Sequence, residues 1–422
     1  MKKLSLSLIF IGFTILAYTQ EKGIRFETNQ TWAQIKEKAK KERKFIFLDA
    51  YATWCGPCKF MDSIYKREIV GSFMNDRFIS VKVQMDSTKN DDADVRGWYS
   101  TAKQMMTDYK ITGFPSLLFF DPNGILVHKR TGARFDTTFV KIASMALKLE
   151  TQYYTKLRTF KSGKLSFDRM PALAKEAREQ QEYVESSEIA EYYINNFLLR
   201  LNERDLLTNE HLSFIGEYIS PETDGFKLFM KNRKKVNIVL GENKAEYLLR
   251  NAISEKYIPS SASWKVSKPN WAALEKTMKS KFGDLGLEVL YGKKMIFYSK
   301  IEDWTNFGKY YVLYFEKALK RPEYYINNIS WMVFLNVRDA KVLNFACNVV
   351  MKYAMEEWYS SFIPAYDTYA NLLYKAGITS EAIQWEQRAL KAEKGGSLEK
   401  IYSEILTKMK KGEPTWLSEA KK

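Results

Sequence analysis

Cys55-Gly56-Pro57-Cys58 carries the chemistry most directly readable in this chain. Two thiols separated by two residues can close a small disulfide ring, which accepts two electrons and gives them back. The run before them, Phe45 to Trp54, is apolar and rich in strand formers, and helix-compatible residues, Lys59 to Ile64, follow. That order predicts a buried strand turning into a helix, with Cys55 at the junction. Unpaired backbone N–H groups and the dipole of a helix N-terminus favour negative charge, so a Cys55 thiolate is stabilised there. Pro57 suits a first helical turn, where its missing N–H would have no intrahelical partner. Cys55, opening the helix, is expected to be the more accessible thiol and the nucleophile, with Cys58 one turn inside.

The competing uses of Cys-x-x-Cys are a zinc half-site or two core cysteines. A structural zinc site needs a second pair of Cys or His ligands. The chain holds three cysteines and two histidines, and Cys347, His128 and His211 lie far apart in sequence. The reading is therefore redox chemistry, with no metal site and no cofactor beyond the Cys55–Cys58 dithiol. Cys347 sits on the apolar side of a helical pattern and is expected to be a buried core residue.

Further residues fall into a known order. The run Asp49-Ala50-Tyr51-Ala52-Thr53-Trp54-Cys55-Gly56-Pro57-Cys58-Lys59 resembles the active-site segment of thioredoxins. Asp49, six residues before Cys55, occupies the place of the family's buried carboxylate, and Lys82 that of the lysine pairing with it. Gly113-Phe114-Pro115-Ser116 resembles the segment carrying the cis-proline that faces the disulfide, and Gly132 stands where the family has a groove glycine. The resemblance spans roughly residues 25–150. It implies an α/β thioredoxin fold with Cys55, Cys58, Asp49 and Lys82 as catalytic residues. Trp54, Gly56, Pro57, Phe114, Pro115 and Gly132 would then form the substrate groove. Burial should raise the Asp49 pKa against the opposing pull of Lys82, and such a carboxyl can take the proton from Cys58 when that thiol attacks. A cis bond before Pro115 would expose the preceding backbone for strand-like pairing with a peptide. The plainer alternatives are a strand-end Asp49 held by backbone hydrogen bonds and a trans Pro115 opening the strand Ser116–Phe120.

The chain departs from the family between the strand holding Lys82 and Pro115. Ser87 to Tyr109 has an acidic start and then Trp98, Tyr99, Met105 and Met106. A loop and an enlarged helix are expected, touching substrate or the helical half of the chain. Trp32, Ala33, Ile35 and Ala39 before the first main strand are similar to thioredoxin-like relatives of the cell envelope, among them the soluble ends of membrane electron carriers.

Met1-Lys2-Lys3, the apolar run Leu4 to Ala17 and the small residues Ala17 and Thr19 describe a secretory signal peptide over residues 1–19, an uncleaved anchor being the alternative. Export to the periplasm or envelope of a bacterium would place the dithiol in an oxidising compartment. The formal net charge is +16, with basic clusters at Lys40–Lys44, Lys231–Lys235 and Lys408–Lys411. These are scattered and interrupted, match no nucleic-acid motif and read as solvated helix faces, so no nucleic-acid partner is expected.

From Thr151 glycine and proline thin out and apolar residues recur at helical spacing, as in Ile189, Tyr193 and Phe197. The expected domains are therefore 20–150, thioredoxin-like, and 151–422, an all-α, helical-repeat-like region. Breaks fall at Ser220-Pro221, Ile258-Pro259, Lys268-Pro269 and Arg321-Pro322. Residues 363–396 resemble a degenerate tetratricopeptide helix pair, with Ala370, Leu373, Ala382 and Ala389 packing and Gly377 turning; an irregular helical domain is the alternative. This half displays no chemistry of its own and is expected to bind a protein partner.

Together these readings describe an exported thiol-disulfide oxidoreductase acting on protein disulfides, with the Gly-Pro spacer resembling that of reducing thioredoxins. A reductant there needs electrons from a membrane thiol donor. The alternatives are an oxidase or isomerase, and a non-catalytic redox-sensing adaptor.

Overall fold

The computed structural model describes residues 23–265 and 268–416. The expected leader, residues 1–19, lies outside the described residues.

The first main strand is apolar apart from Asp49 because both of its faces are covered. It is β2 (Phe45–Tyr51), preceded by β1 (Phe26–Glu27) and α1 (Trp32–Glu42). After it come α2 (Gly56–Tyr65), α3 (Glu68–Arg77), β3 (Phe78–Gln84), α4 (Ala93–Asp108), β4 (Ser116–Phe120), β5 (Leu126–Thr131) and α5 (Asp136–Ala146). The sheet order is β1-β3-β2-β4-β5, with β2 parallel to β3 and antiparallel to β4. This is the α/β fold that the resemblance implies.

Strand alternation divides the core. Ile46, Leu48 and Ala50 face a cluster holding Ile35 of α1 and Trp98, Ala102 and Met105 of α4. Phe47 faces the other side, with Met61 and Ile64 of α2 and Phe139 and Ile142 of α5. The departure segment therefore has a different task from the one expected: its helix is present, but Trp98 and Met105 pack into the domain's own core.

The compact N-terminal unit ends at Phe197, and the second begins at Leu198. Three helices beyond the composition shift belong to the first unit: α6 (Tyr153–Lys161), α7 (Met170–Glu179) and α8 (Tyr183–Asn196). Glu182, at the head of α8, fastens them to β5. Its carboxylate accepts from Lys129 Nζ at 3.2 Å and from the Tyr153 and Tyr154 hydroxyls at 2.8 and 2.5 Å. The two charged side chains are 3% and 4% exposed. The Tyr153 N–H reaches His128 Nδ1, and burial, reinforced by Arg130 and Lys156, holds the His128 pKa down to about 3. The change near Thr151 thus marks a switch to helices inside one unit. Removing one member of a buried ion pair strands the other charge, so Glu182→Ala in the full chain is expected to cost roughly 3–5 kcal/mol. Urea unfolding should show the lowered midpoint; an unchanged midpoint would mean that these helices are not fastened through Glu182.

The second unit is helical throughout its described residues. It runs through α9 (Glu203–Leu206), α10 (Asn209–Glu217), α11 (Asp224–Lys231), α12 (Arg233–Leu240) and α13 (Lys244–Tyr257). Next come α14 (Trp271–Lys300), interrupted at Gly283, then α15 (Trp304–Ala318), α16 (Ile326–Asn336) and α17 (Ala340–Phe345). A π-helical stretch, Ala346–Met351, leads into α18 (Lys352–Glu357), α19 (Ile363–Lys375), α20 (Thr379–Ala392) and α21 (Glu399–Lys411). The proline breaks all fall between helices. Buried Ala370, Leu373, Ala382 and Ala389 line the α19–α20 pair, and Gly377 turns between them at φ +88°. Cys347 is fully buried, and burial pushes its thiol pKa up to about 12.

Candidate active site

Ala52 and Thr53 carry the chain out of β2, and Asp86, just past β3, holds that turn. Asp86 accepts from the Thr53 N–H at 3.0 and 3.2 Å and from the Thr53 hydroxyl. The turn delivers Cys55 as the N-cap of α2, with Pro57 in the first turn. Cys55 Sγ accepts the Cys58 N–H at 3.1 Å, so one orphan donor of the helix end points at the sulfur. Cys55 and Cys58 are joined as a disulfide, their Cα atoms 5.3 Å apart. The two cysteines are 2% and 4% exposed, so accessibility does not single out Cys55 as expected. Phe114 and Tyr51 pack over the pair and shield both members. What distinguishes Cys55 is its position at the helix end.

The groove residues assemble around it. Trp54 is 71% exposed and meets Phe114 edge-on at 5.9 Å. The Phe114–Pro115 bond is cis. The Gly132 N–H donates to the Pro115 carbonyl at 2.8 Å, and its φ of +92° is a conformation that favours glycine. A Cβ on Gly56 would meet no atom within 4 Å, so that side of the dithiol stays open. Two exposed aromatics were missed in sequence: Phe60 of α2 stacks edge-on against Phe135 at 5.5 Å. The position of Phe60, two residues past Cys58, was the available signal.

Asp49 lies on the same face of β2 as Phe47. It is fully buried, and no backbone group is hydrogen-bonded to its carboxylate, so the backbone-held alternative does not apply. Burial pushes its pKa up to about 7 against the opposing effects of Lys82 and the Tyr65 hydroxyl. Asp49 and Lys82 sit opposite each other across β2 and β3, as expected. The Lys82 ammonium, however, bonds Asp62 of α2. This corrects the expected direct pairing: Asp62, at the partly exposed edge of the helix, offers a better-hydrated partner than a buried carboxyl. Asp62 and Tyr65 are the second omission from the sequence reading. With Lys82 they line a cleft of about 620 Å³ beside β1, which also touches Gly23, Ile24 and Phe26. A dithiol at a helix end can exchange disulfides.

The comparisons agree with this class of site. The family model Thioredox_DsbH, described as a protein of unknown function, DUF255, matches residues 24–162. A thioredoxin H-type of Fagopyrum esculentum is 32% identical over 120 residues, which are 28% of this chain and 88% of that protein. The thiol:disulfide interchange protein DsbD of Colwellia psychrerythraea is 29% identical over 136 residues, 30% of this chain and 19% of that protein. A solved structure titled DsbH oxidoreductase has 21% identity and a TM-score of 0.27, covering 35% of this chain and 96% of its own. Fold and dithiol define a thioredoxin-like disulfide oxidoreductase domain. The chain belongs to the thioredoxin family.

Proposed function

We propose that the protein is an exported thiol-disulfide oxidoreductase that reduces protein disulfides through Cys55 and Cys58, supplied with electrons by a membrane-embedded thiol carrier. The observation that carries this reading is the Cys55–Cys58 pair capping α2 against Phe114, with Trp54 exposed beside it. The Cys55 thiolate attacks a substrate disulfide, forming a mixed disulfide and releasing one substrate thiolate. Cys58 gives its proton to ionised Asp49 and attacks Cys55 Sγ, releasing the second substrate thiol. Two electrons leave the dithiol, which ends oxidised. The Gly56-Pro57 spacer supports the reducing direction. The amino-terminal apolar run supports export, and likeness to a thiol:disulfide interchange protein supports a membrane donor. Among the described residues no helix is long and apolar enough to cross a membrane. The helical region from Leu198, with its repeat-like α19–α20 hairpin, selects the partner presented to the dithiol. Equilibration with glutathione tests the direction: a potential of about −270 mV fits a reductase, whereas about −180 to −120 mV would reassign the protein as an isomerase or oxidase.

A further inference from the structure

The second unit contains a cavity of about 650 Å³ bounded by α16, α19, α21 and Thr415. Its walls are apolar, with Trp331 and Leu335 on one side and Ile401 and Ile405 on the other; Leu335 and Ile401 are exposed at the mouth. Its polar lining is unlike them. Asn371, fully buried, spends its amide N–H groups on the Asp367 carboxylate and carbonyl, at 2.7 and 2.9 Å, which leaves its Oδ1 buried with no partner. Asn327, 8% exposed, has a buried Oδ1 without a partner, as does the Thr415 hydroxyl. Behind Asp367, Glu386 of α20 is fully buried, and the two acids lie within hydrogen-bonding reach of each other. Among the described residues no lysine or arginine lines the cavity.

Unpartnered buried polar atoms call for an explanation, and these are nearly all acceptors. A carboxylate or phosphate would bring acceptors to acceptors, and an apolar group would leave each acceptor dry at a cost of about 1–3 kcal/mol. An ammonium brings three donors and no acceptor, and its aliphatic stem suits the apolar walls. We propose that this cavity is a binding site for a primary ammonium group on an aliphatic stem, such as the side chain of a lysine. Burial raises the pKa of both Asp367 and Glu386, Glu386 further because Asp367 lies beside it. The buried pair therefore holds protons that an incoming cation would displace. Tyr402 of α21 and Glu393 are titratable neighbours of the pair, and the Lys375 ammonium donates to the carbonyl of the lining residue Phe334.

Calorimetry on the full chain tests this with three probes: n-butylammonium, the capped tripeptide Leu-Lys-Leu, and the same tripeptide acetylated on the lysine. The ammonium probes should bind with proton release, visible as a dependence of heat on buffer. Acetylation should weaken the peptide by roughly tenfold or more, the loss of a charge-assisted hydrogen bond. Tighter binding of the peptide than of butylammonium would assign the site to a protein side chain, and the reverse order to a small free amine. Asp367→Asn should weaken the lysine peptide by about as much as acetylation does. If that variant does not fold, Asn327→Leu, on the opposite wall, is expected to weaken it as well. Binding indifferent to acetylation, no binding by any probe, or full affinity in the folded variants would overturn the proposal and leave a hydrated cavity.

Discussion

Cys55→Ser should abolish turnover of protein disulfides, by about a thousandfold or more, because the remaining thiol, Cys58, lies inside the first turn and lacks the stabilisation of the helix end. Cys58→Ser should behave differently: attack persists, and the substrate remains covalently held on Cys55. The asymmetry follows from the helix end. Cys55 caps α2 and its sulfur accepts the Cys58 N–H at 3.1 Å, whereas Cys58 has entered the first turn. Negative charge is stabilised at the first position, and the Cys55 pKa in the reduced protein should fall below the free-thiol value of about 8.5. Because both cysteines are almost equally buried, the difference should appear as ionisation rather than exposure. Alkylation of the reduced protein at neutral pH should therefore modify Cys55 first. Faster modification of Cys58, or a mixed disulfide that accumulates on Cys58 in the Cys55 variant, would reverse the assignment.

The parts of this site that were legible in the sequence are those fixed by local rules. An apolar strand run, Pro57 in a first helical turn and two closely spaced cysteines define the β2–α2 junction without any distant contact. The Asp49–Lys82 juxtaposition was implied by the resemblance alone, and the register of two parallel strands sets the residues opposite each other. The choice of Asp62 as the partner of Lys82 was not. It depends on how α2 is rotated over the sheet, and no spacing within either segment reports that angle. Phe135 reaches Phe60 from the loop before α5, again through tertiary placement.

The thinning of glycine and proline after Thr151 was read as a domain change because it marks a real change of secondary structure. Composition cannot say which body the next helices cover. The available hint lay in β5, where His128 and Lys129 are adjacent polar residues, one on each face. Both are buried, which requires cover on both sides of that edge of the sheet, and α6 to α8 belong to that cover. The buried acids of the second unit were hidden for a related reason. Asp367 and Asn371 lie one helical turn apart and look like a solvated stripe until α16 and α21 enclose them.

Asp49→Asn should make the protein more stable and a slower enzyme, with both effects governed by pH. The carboxyl has an ordinary value near 3.8 and about 7 in the native state, so the folded protein holds this proton more tightly than the unfolded chain does. Stability is then full below the unfolded value and is lost as pH rises from about 4 to 7, above which a charged carboxylate is held out of water. The shift corresponds to about 4 kcal/mol at most, at 1.36 kcal/mol per pH unit. Asparagine removes the charge while keeping the shape. The variant should thus unfold at a higher urea concentration than the parent at pH 8, with the gap closing towards pH 4. In catalysis the sign reverses. With ionised Asp49 as the proposed acceptor of the Cys58 proton, resolution of the mixed disulfide should accelerate through pH 7 in the parent. In the variant it should be slower by about a hundredfold and lose that inflection. The first step, attack by Cys55, should change little. Single-turnover kinetics across this range separate the two steps. An unaltered resolution rate with an increased stability would make Asp49 a buried charge with no part in proton transfer, and a slowed attack step would place its action on Cys55 instead.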